Sequence, residues 1–165
     1  MSGTVSGTGH VVIGGIVGGS EHGSLENCSA SLTVQGGNIV GGIIGTNTVD
    51  VISCNFNGTI IYTNKSTDHD SIGGIVGQLS DGGTIRDCTF SGVLRVDVKD
   101  WENRTLQPYL GGIVGYMTTG SQSGNNVTGT LNYDNLNPDV SWWSWFVTYH
   151  HNQQLYCNTI VGKNE

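Results

Sequence analysis

Positive charge is scarce in this chain. Its 165 residues include 6 Lys and Arg against 13 Asp and Glu, a formal net charge of -7, and only 12% are charged at all. The bases Lys65, Arg86, Arg95, Lys99, Arg104 and Lys163 form no stripe, so no nucleic-acid partner held by phosphate neutralisation is expected. No apolar run reaches the roughly 18 residues of a membrane span, so no membrane insertion is expected either. Residues 1–9 lack the basic and hydrophobic regions of a signal peptide, which points to a cytosolic chain or to a segment of something larger. The four cysteines show no C-x-x-C and no Cys/His metal spacing, so neither metal nor cofactor is expected. Three-and-four apolar spacing is also missing, which argues against amphipathic helices. The nearest candidate, Asn137 to Gln154, fits a covering segment equally well.

What the chain has in abundance is glycine, 27 residues, and it is placed periodically. A pentad of two glycines, two branched aliphatics and a third glycine begins at Gly14, Gly41, Gly73 and Gly111, with a worn fifth copy at Asn158. A second phrase lies between the pentads: Gly58-Thr59-Ile60, Gly92-Val93-Leu94 and Gly129-Thr130-Leu131, with Leu32-Thr33-Val34 in the same place and a half-copy at Gly3-Thr4-Val5. From pentad to second phrase the spacing is nearly constant, at 18, 17, 19 and 18 residues. From second phrase to next pentad it grows through 9, 15, 19 and 29. One arc held to length beside one that accepts insertions is the signature of a solenoid, in which stacking constrains the coil and loops grow from one edge.

Aligned copies give aliphatic columns: Ile13, Val40, Ile72, Leu110, Cys157 before the pentad, and Ile16, Ile43, Ile75, Ile113, Ile160 within it. Leu25, Val51 and Ile85 stand three residues before Cys28, Cys54 and Cys88, with Ala30, Phe56 and Phe90 two after; Val127 completes that last column. Short β-branched runs separated by Gly, Asn, Asp and Ser favour strands. The expected fold is therefore all-β: one parallel β-solenoid of four to five coils over residues 1–165, with rows about 4.8 Å apart. Cys28, Cys54 and Cys88 read as a buried thiol ladder within it. The glycines read as serving tight corners and positive-φ positions.

The repeated Gly-Ile-Val-Gly resembles the glycine-aliphatic-X-glycine unit of the GLUG repeat family, over roughly residues 3 to 162, with Ile where the motif's name has Leu. The resemblance implies a parallel β-solenoid in a bacterial surface or secreted protein, often as a module of an adhesin or of a secreted-protease precursor. The fourth fixed arc, Gln122 to Val127, departs by losing the Cys and its preceding aliphatic.

Function is expected in the insertions, residues 61–71, 95–109 and 132–156, as a binding edge carrying Tyr62, Asp68, His69, Asp70, Trp101, Arg104, Trp142, Trp143, Trp145 and Phe146. Exposed aromatics of this kind are common binding hot spots. For the Trp142–Phe146 cluster three uses fit: a cap over the open C-terminal end, an oligomer contact, or a sugar- or protein-binding platform. Loop acids here and Asp97, Asp100, Glu102, Asp134 and Asp139 read as solvated, and His150-His151 is a weak ligand pair because strand neighbours face opposite ways. No enzyme is expected. Ile16 and Val17 are adjacent, and both their columns stay aliphatic. Either a bulge turns both inward or one is covered; covering, and hence a homo-oligomer, is the expectation. The sequence thus reads as a non-catalytic, adhesin-like module engaging protein or glycan. The alternatives are a phage-encoded intracellular inhibitor of a host defence protein and a self-assembling fibre subunit.

Overall fold

The computed structural model describes residues 3–9, 11–63, 70–97, 109–132, 157–158 and 161–164, and every strand pairing among them is parallel. The chain winds through five faces in turn. The first face stacks Val12–Gly14, Ile39–Gly41, Ser71–Gly73, Tyr109–Gly111 and Cys157–Asn158; the second stacks Val17–Ser20, Ile44–Asn47, Val76–Leu79, Val114–Met117 and Val161–Asn164. The third holds Ser24–Glu26, Asp50–Ile52, Thr84–Arg86 and Ser121–Ser123, and the fourth Ser29–Ala30, Asn55–Phe56, Thr89–Phe90 and Asn126–Val127. The fifth stacks Thr4–Gly7, Thr33–Gly36, Thr59–Tyr62, Val93–Val96 and Thr130–Asn132.

The sequence columns are the registers. Ile13 pairs Val40, which pairs Ile72, then Leu110 and Cys157. Ala30, Phe56, Phe90 and Val127 follow one another on the fourth face, and Thr4, Thr33, Thr59, Val93 and Thr130 on the fifth. Strand periodicity then decides the interior: Val34, Ile60 and Leu94 point in and are buried, while Gln35, Ile61 and Arg95 between the inward positions are half-buried. Phe56 and Phe90 stack across coils with ring centres 6.3 Å apart and planes within 9°, inside the 4.5–7 Å range of favourable aromatic pairs.

The pentad behaves differently from a flat strand. Ile43, Ile44, Ile75, Val76, Ile113 and Val114 are all fully buried within one chain. At the first two of these corners two successive amides share one carbonyl of the next coil: Ile43 and Ile44 both donate to Ile75 O, at 3.0 and 3.1 Å, and Ile75 and Val76 both donate to Ile113 O, at 3.0 and 2.9 Å. That bulge rotates neighbouring side chains to the same side. The expected covering subunit is therefore not needed to bury these columns. Ile16, expected in the same ladder, is 43% exposed because it belongs to the first coil, with no such coil before it; Ile160 lies outside the described residues.

The pentad glycines serve close approach, where turn conformations had been expected. A Cβ on the first glycine of the pair (Gly14, Gly41, Gly73) would lie 1.8–1.9 Å from the carbonyl oxygen three residues on, and one on the second (Gly15, Gly42, Gly74) 2.0–2.2 Å from a carbonyl oxygen of the next coil. The third (Gly45, Gly77, Gly115) would meet the carbonyl of the preceding coil's Gly18, Gly45 or Gly77 at 2.6 Å. Left-handed backbone falls instead at the corner between third and fourth faces, where Asn27, Ser53, Asp87 and Gly124 have φ of 55°, 52°, 54° and 63°. Asn, Asp and Gly are the residue types that tolerate it best, and Ser53 shares the conformation without that preference.

The thiol ladder follows that corner directly. Cys54 and Cys88 are buried, Cys28 is half-buried, and all three are free. They also form hydrogen bonds: the Cys54 amide donates to Cys88 Sγ at 3.4 Å, and the Cys88 thiol reaches the carbonyls of Arg86 and Val51 at 3.3 and 3.4 Å. The side-chain hydrogen bond with Cys88, then burial, holds the Cys54 thiol far above the ordinary range; the same contact draws Cys88 down. In the fourth coil Asn125 takes the position. Its Oδ1 accepts from the Cys88 amide at 2.9 Å, and its Nδ2 donates to Ile85 O at 3.0 Å and Gln122 Oε1 at 3.2 Å. The polar substitutions at Gln122 and Asn125 thus support each other, and the arc stays in register.

Candidate functional site

The segments that vary most in length connect the fifth face to the first; the second-to-third connections vary only slightly. After residues 8–11 before the first full coil, the fifth-to-first segments comprise residues 37–38, 63–70, 97–108 and 133–156 in successive coils, so each longer excursion leaves and rejoins the scaffold one row above the last. Strands continue through Tyr62 and Val96 and resume at Ser71 and Tyr109, which makes the second and third of these narrower than 61–71 and 95–109.

Two residues expected at the exposed edge are interior. Tyr62 and Asp70 are both fully buried. The Tyr62 hydroxyl donates to Asp70 Oδ2, and Asn38 Nδ2 donates to Asp70 Oδ1 at 2.9 Å. Asn38 Oδ1 in turn accepts from the Val11 amide at 3.1 Å, so one amide side chain ties together three coils. Backbone bonds complete the corner: Ser71 N to Asn38 O and Tyr109 N to Asp70 O, both 2.7 Å, and Asp97 N to Tyr62 O at 2.9 Å. A buried carboxyl is stable only with such partners. Tyr62 and Asp70 therefore fasten the base of the excursions and are not available to a ligand. Asn38 was missed by the column reading, although it stands two residues before Val40 as Asp70 stands two before Ile72.

Above this base the corner is polar and aromatic. Arg95 Nη2 lies 3.7 Å from Asp97 Oδ2, and both side chains are partly exposed, a pairing that contributes under about 1 kcal/mol. Tyr109 and Tyr116 stack with centres 5.2 Å apart. Asp68, His69, Trp101, Arg104, Trp142, Trp143, Trp145 and Phe146 lie outside the described residues. Among the described residues no three His, Cys, Asp or Glu side chains converge as metal ligands, and no helix is long and apolar enough to cross a membrane.

Replacing Tyr62 with Phe keeps the ring and removes the hydroxyl. The expected cost is about 2 kcal/mol in urea denaturation, the order of removing the donor from a buried acceptor. The amide of Tyr109, anchored on Asp70, should exchange faster with solvent in this variant. An unchanged midpoint and unchanged exchange would show that the corner is held by something else.

The scaffold and its stacked registers define a class, the parallel β-solenoid assembled from one repeated coil. The family model of the GLUG motif matches two stretches of the chain, residues 9–35 and 69–96. The second match runs from the first face through the fifth of the third coil, and the first covers the same circuit of the first coil. No curated protein and no solved structure matches the chain.

Proposed function

We propose that this chain is a non-catalytic binding module, adhesin-like and set at a cell surface or in a secreted protein, that recognises protein or glycan with the excursions of the fifth-to-first corner. The observation that carries the reading is the arrangement of those excursions. Four consecutive rows release progressively longer segments from one corner while the other corners keep nearly constant length, and adjacent rows of a parallel sheet are only about 4.8 Å apart. Such a layout concentrates variable sequence on a rigid base, the usual division of labour between scaffold and recognition loops. Trp142, Trp143, Trp145 and Phe146 all belong to the longest excursion, and aromatic anchors commonly carry most of an interface's energy. The buried Tyr62–Asp70–Asn38 fastening supports the same reading, because it holds the loop bases without using surface groups.

The test is binding of the purified chain to an immobilised glycan array and to a panel of matrix proteins (fibronectin, collagen and mucin). The comparison is a variant with Trp142, Trp143 and Trp145 all replaced by alanine. At least one surface should retain the wild-type chain, and the triple variant should bind it at least tenfold more weakly with an unchanged circular dichroism spectrum. Retention by no surface, or equal retention of both chains, would contradict the proposal.

A further inference from the structure

Cys54 and Cys88 stand in register in adjacent rows of the interior, and we infer that they form an oxidisable pair, a modification site at which a peroxide joins the second and third coils by a disulfide. Backbone pairing holds them together. Thr89 N donates to Cys54 O at 2.9 Å, and the residues that follow the two cysteines, Asn55 and Thr89, are parallel partners. Neighbouring rows of such a sheet lie about 4.8 Å apart, inside the roughly 4.4–6.8 Å that separates the Cα atoms of a disulfide. Ser53 and Asp87, just before the cysteines, share a left-handed backbone with φ of 52° and 54°, so both side chains leave the corner in the same way. Both sulfurs are buried and free.

The surroundings of Cys88 select this pair over Cys28 and Cys54. Its sulfur reaches back one row, accepting from the Cys54 amide at 3.4 Å with Val51 O also at 3.4 Å. Cys54 makes the matching contact to Leu25 O at 3.5 Å, with Ile52 O at 3.3 Å, and both of these are carbonyls, which suit a thiol and not a thiolate. An amide donor favours the thiolate, the form that attacks. The hydrogen bond from the Cys54 side chain draws Cys88 below the ordinary thiol range; burial opposes it and the Cys54 amide adds to it. Cys28, by contrast, is pushed up, chiefly by burial.

The chemistry runs in two displacements. The Cys88 thiolate attacks one oxygen of hydrogen peroxide and breaks the O–O bond; the departing hydroxide takes up a proton, and Cys88 is left as the sulfenic acid. The Cys54 sulfur, losing its proton, then attacks the Cys88 sulfur, and the sulfenic oxygen leaves as water. Two thiols give up two electrons, and one peroxide becomes two waters. Burial keeps larger oxidants out, and hydrogen peroxide is close to water in size. The new bond closes a covalent ring across 34 positions, one whole coil that contains Tyr62 and Asp70.

The experiment treats the reduced chain with hydrogen peroxide, alkylates the remaining thiols and maps the cysteines by mass spectrometry, with thermal melting of the same samples. A Cys54–Cys88 link is expected, with Cys28 and Cys157 alkylated, and a melting temperature raised by roughly 10 °C that dithiothreitol returns to its starting value. Cys88→Ala should show neither the link nor the rise. Cys28→Ala leaves the pair intact and should show both, which keeps the test decisive even if the Cys88 variant folds poorly. A link between Cys28 and Cys54, conversion of Cys88 to the sulfinic acid with no link, or full alkylation of all the cysteines after treatment would overturn the inference.

Discussion

Alanine at Gly74 should unfold or nearly unfold the protein. The new Cβ would lie 2.0 Å from Gly112 O and 2.5–2.6 Å from two atoms of the Phe90 ring. The ring could turn, but the carbonyl belongs to a corner pinned by Gly74 N to Gly111 O and Ile75 N to Ile113 O, both 3.0 Å. Relief therefore requires two coils to separate. Overpacking alone costs about 1–3 kcal/mol, and each inter-coil hydrogen bond lost adds about 1 kcal/mol. A loss of about 4 kcal/mol or more is expected by urea denaturation, a large fraction of a domain's total stability. Gly18→Ala is the internal control: the same chemical change, in the same repeat, at a position where a Cβ would meet only Val12 O at 3.6 Å, should alter stability by no more than about 0.5 kcal/mol. Equal effects at the two sites would mean that the coils are not in contact through these glycines.

Phe56→Ala is the second large effect. The ring is fully buried, stacks on Phe90 and packs beneath the Gly41-Gly42 corner, where a Cβ on Gly42 would come within 2.6 Å of it. Deleting it removes transfer energy and leaves a cavity that rigid neighbouring coils cannot close, for an expected loss of about 3–5 kcal/mol. Removing the stacking partner also cancels a pair worth about 1 kcal/mol. Ala30 and Val127 occupy the same column in the outer coils, so the two phenylalanines stack between smaller residues. A denaturation midpoint close to wild type would show that this interior collapses more freely than a stacked solenoid allows.

These two positions also show where the sequence was informative. The column of Ala30, Phe56, Phe90 and Val127 could be read directly, because stacking in parallel register places like residues at like spacing from the pentad. Gly74 could be recognised as a repeat position but not explained. Spacing reports which residues recur, and it says nothing of how closely two backbones approach. For the same reason the adjacent aliphatics of the pentad suggested an uncovered face, whereas two amides sharing one carbonyl turn both inward. The left-handed corner escaped notice because Asn27, Ser53, Asp87 and Gly124 share a backbone conformation and not a side chain. At the candidate site the sequence located the corner, through the growth of one arc at constant length of the other. It assigned Tyr62 and Asp70 to the binding edge because both fall within the insertion it bounded at 61–71; their burial goes with contacts to Asn38 and to each other across coils, which linear spacing does not contain.

The central claim is the parallel, in-register stacking of successive coils, and nuclear Overhauser contacts between backbone protons test it most directly. The account predicts amide-to-α-proton contacts running Val34 to Ile60 to Leu94 on the fifth face and Val40 to Ile72 to Leu110 on the first, in the staggered pattern of parallel strands. Close α-proton pairs between any of these segments, the mark of antiparallel neighbours, would contradict it.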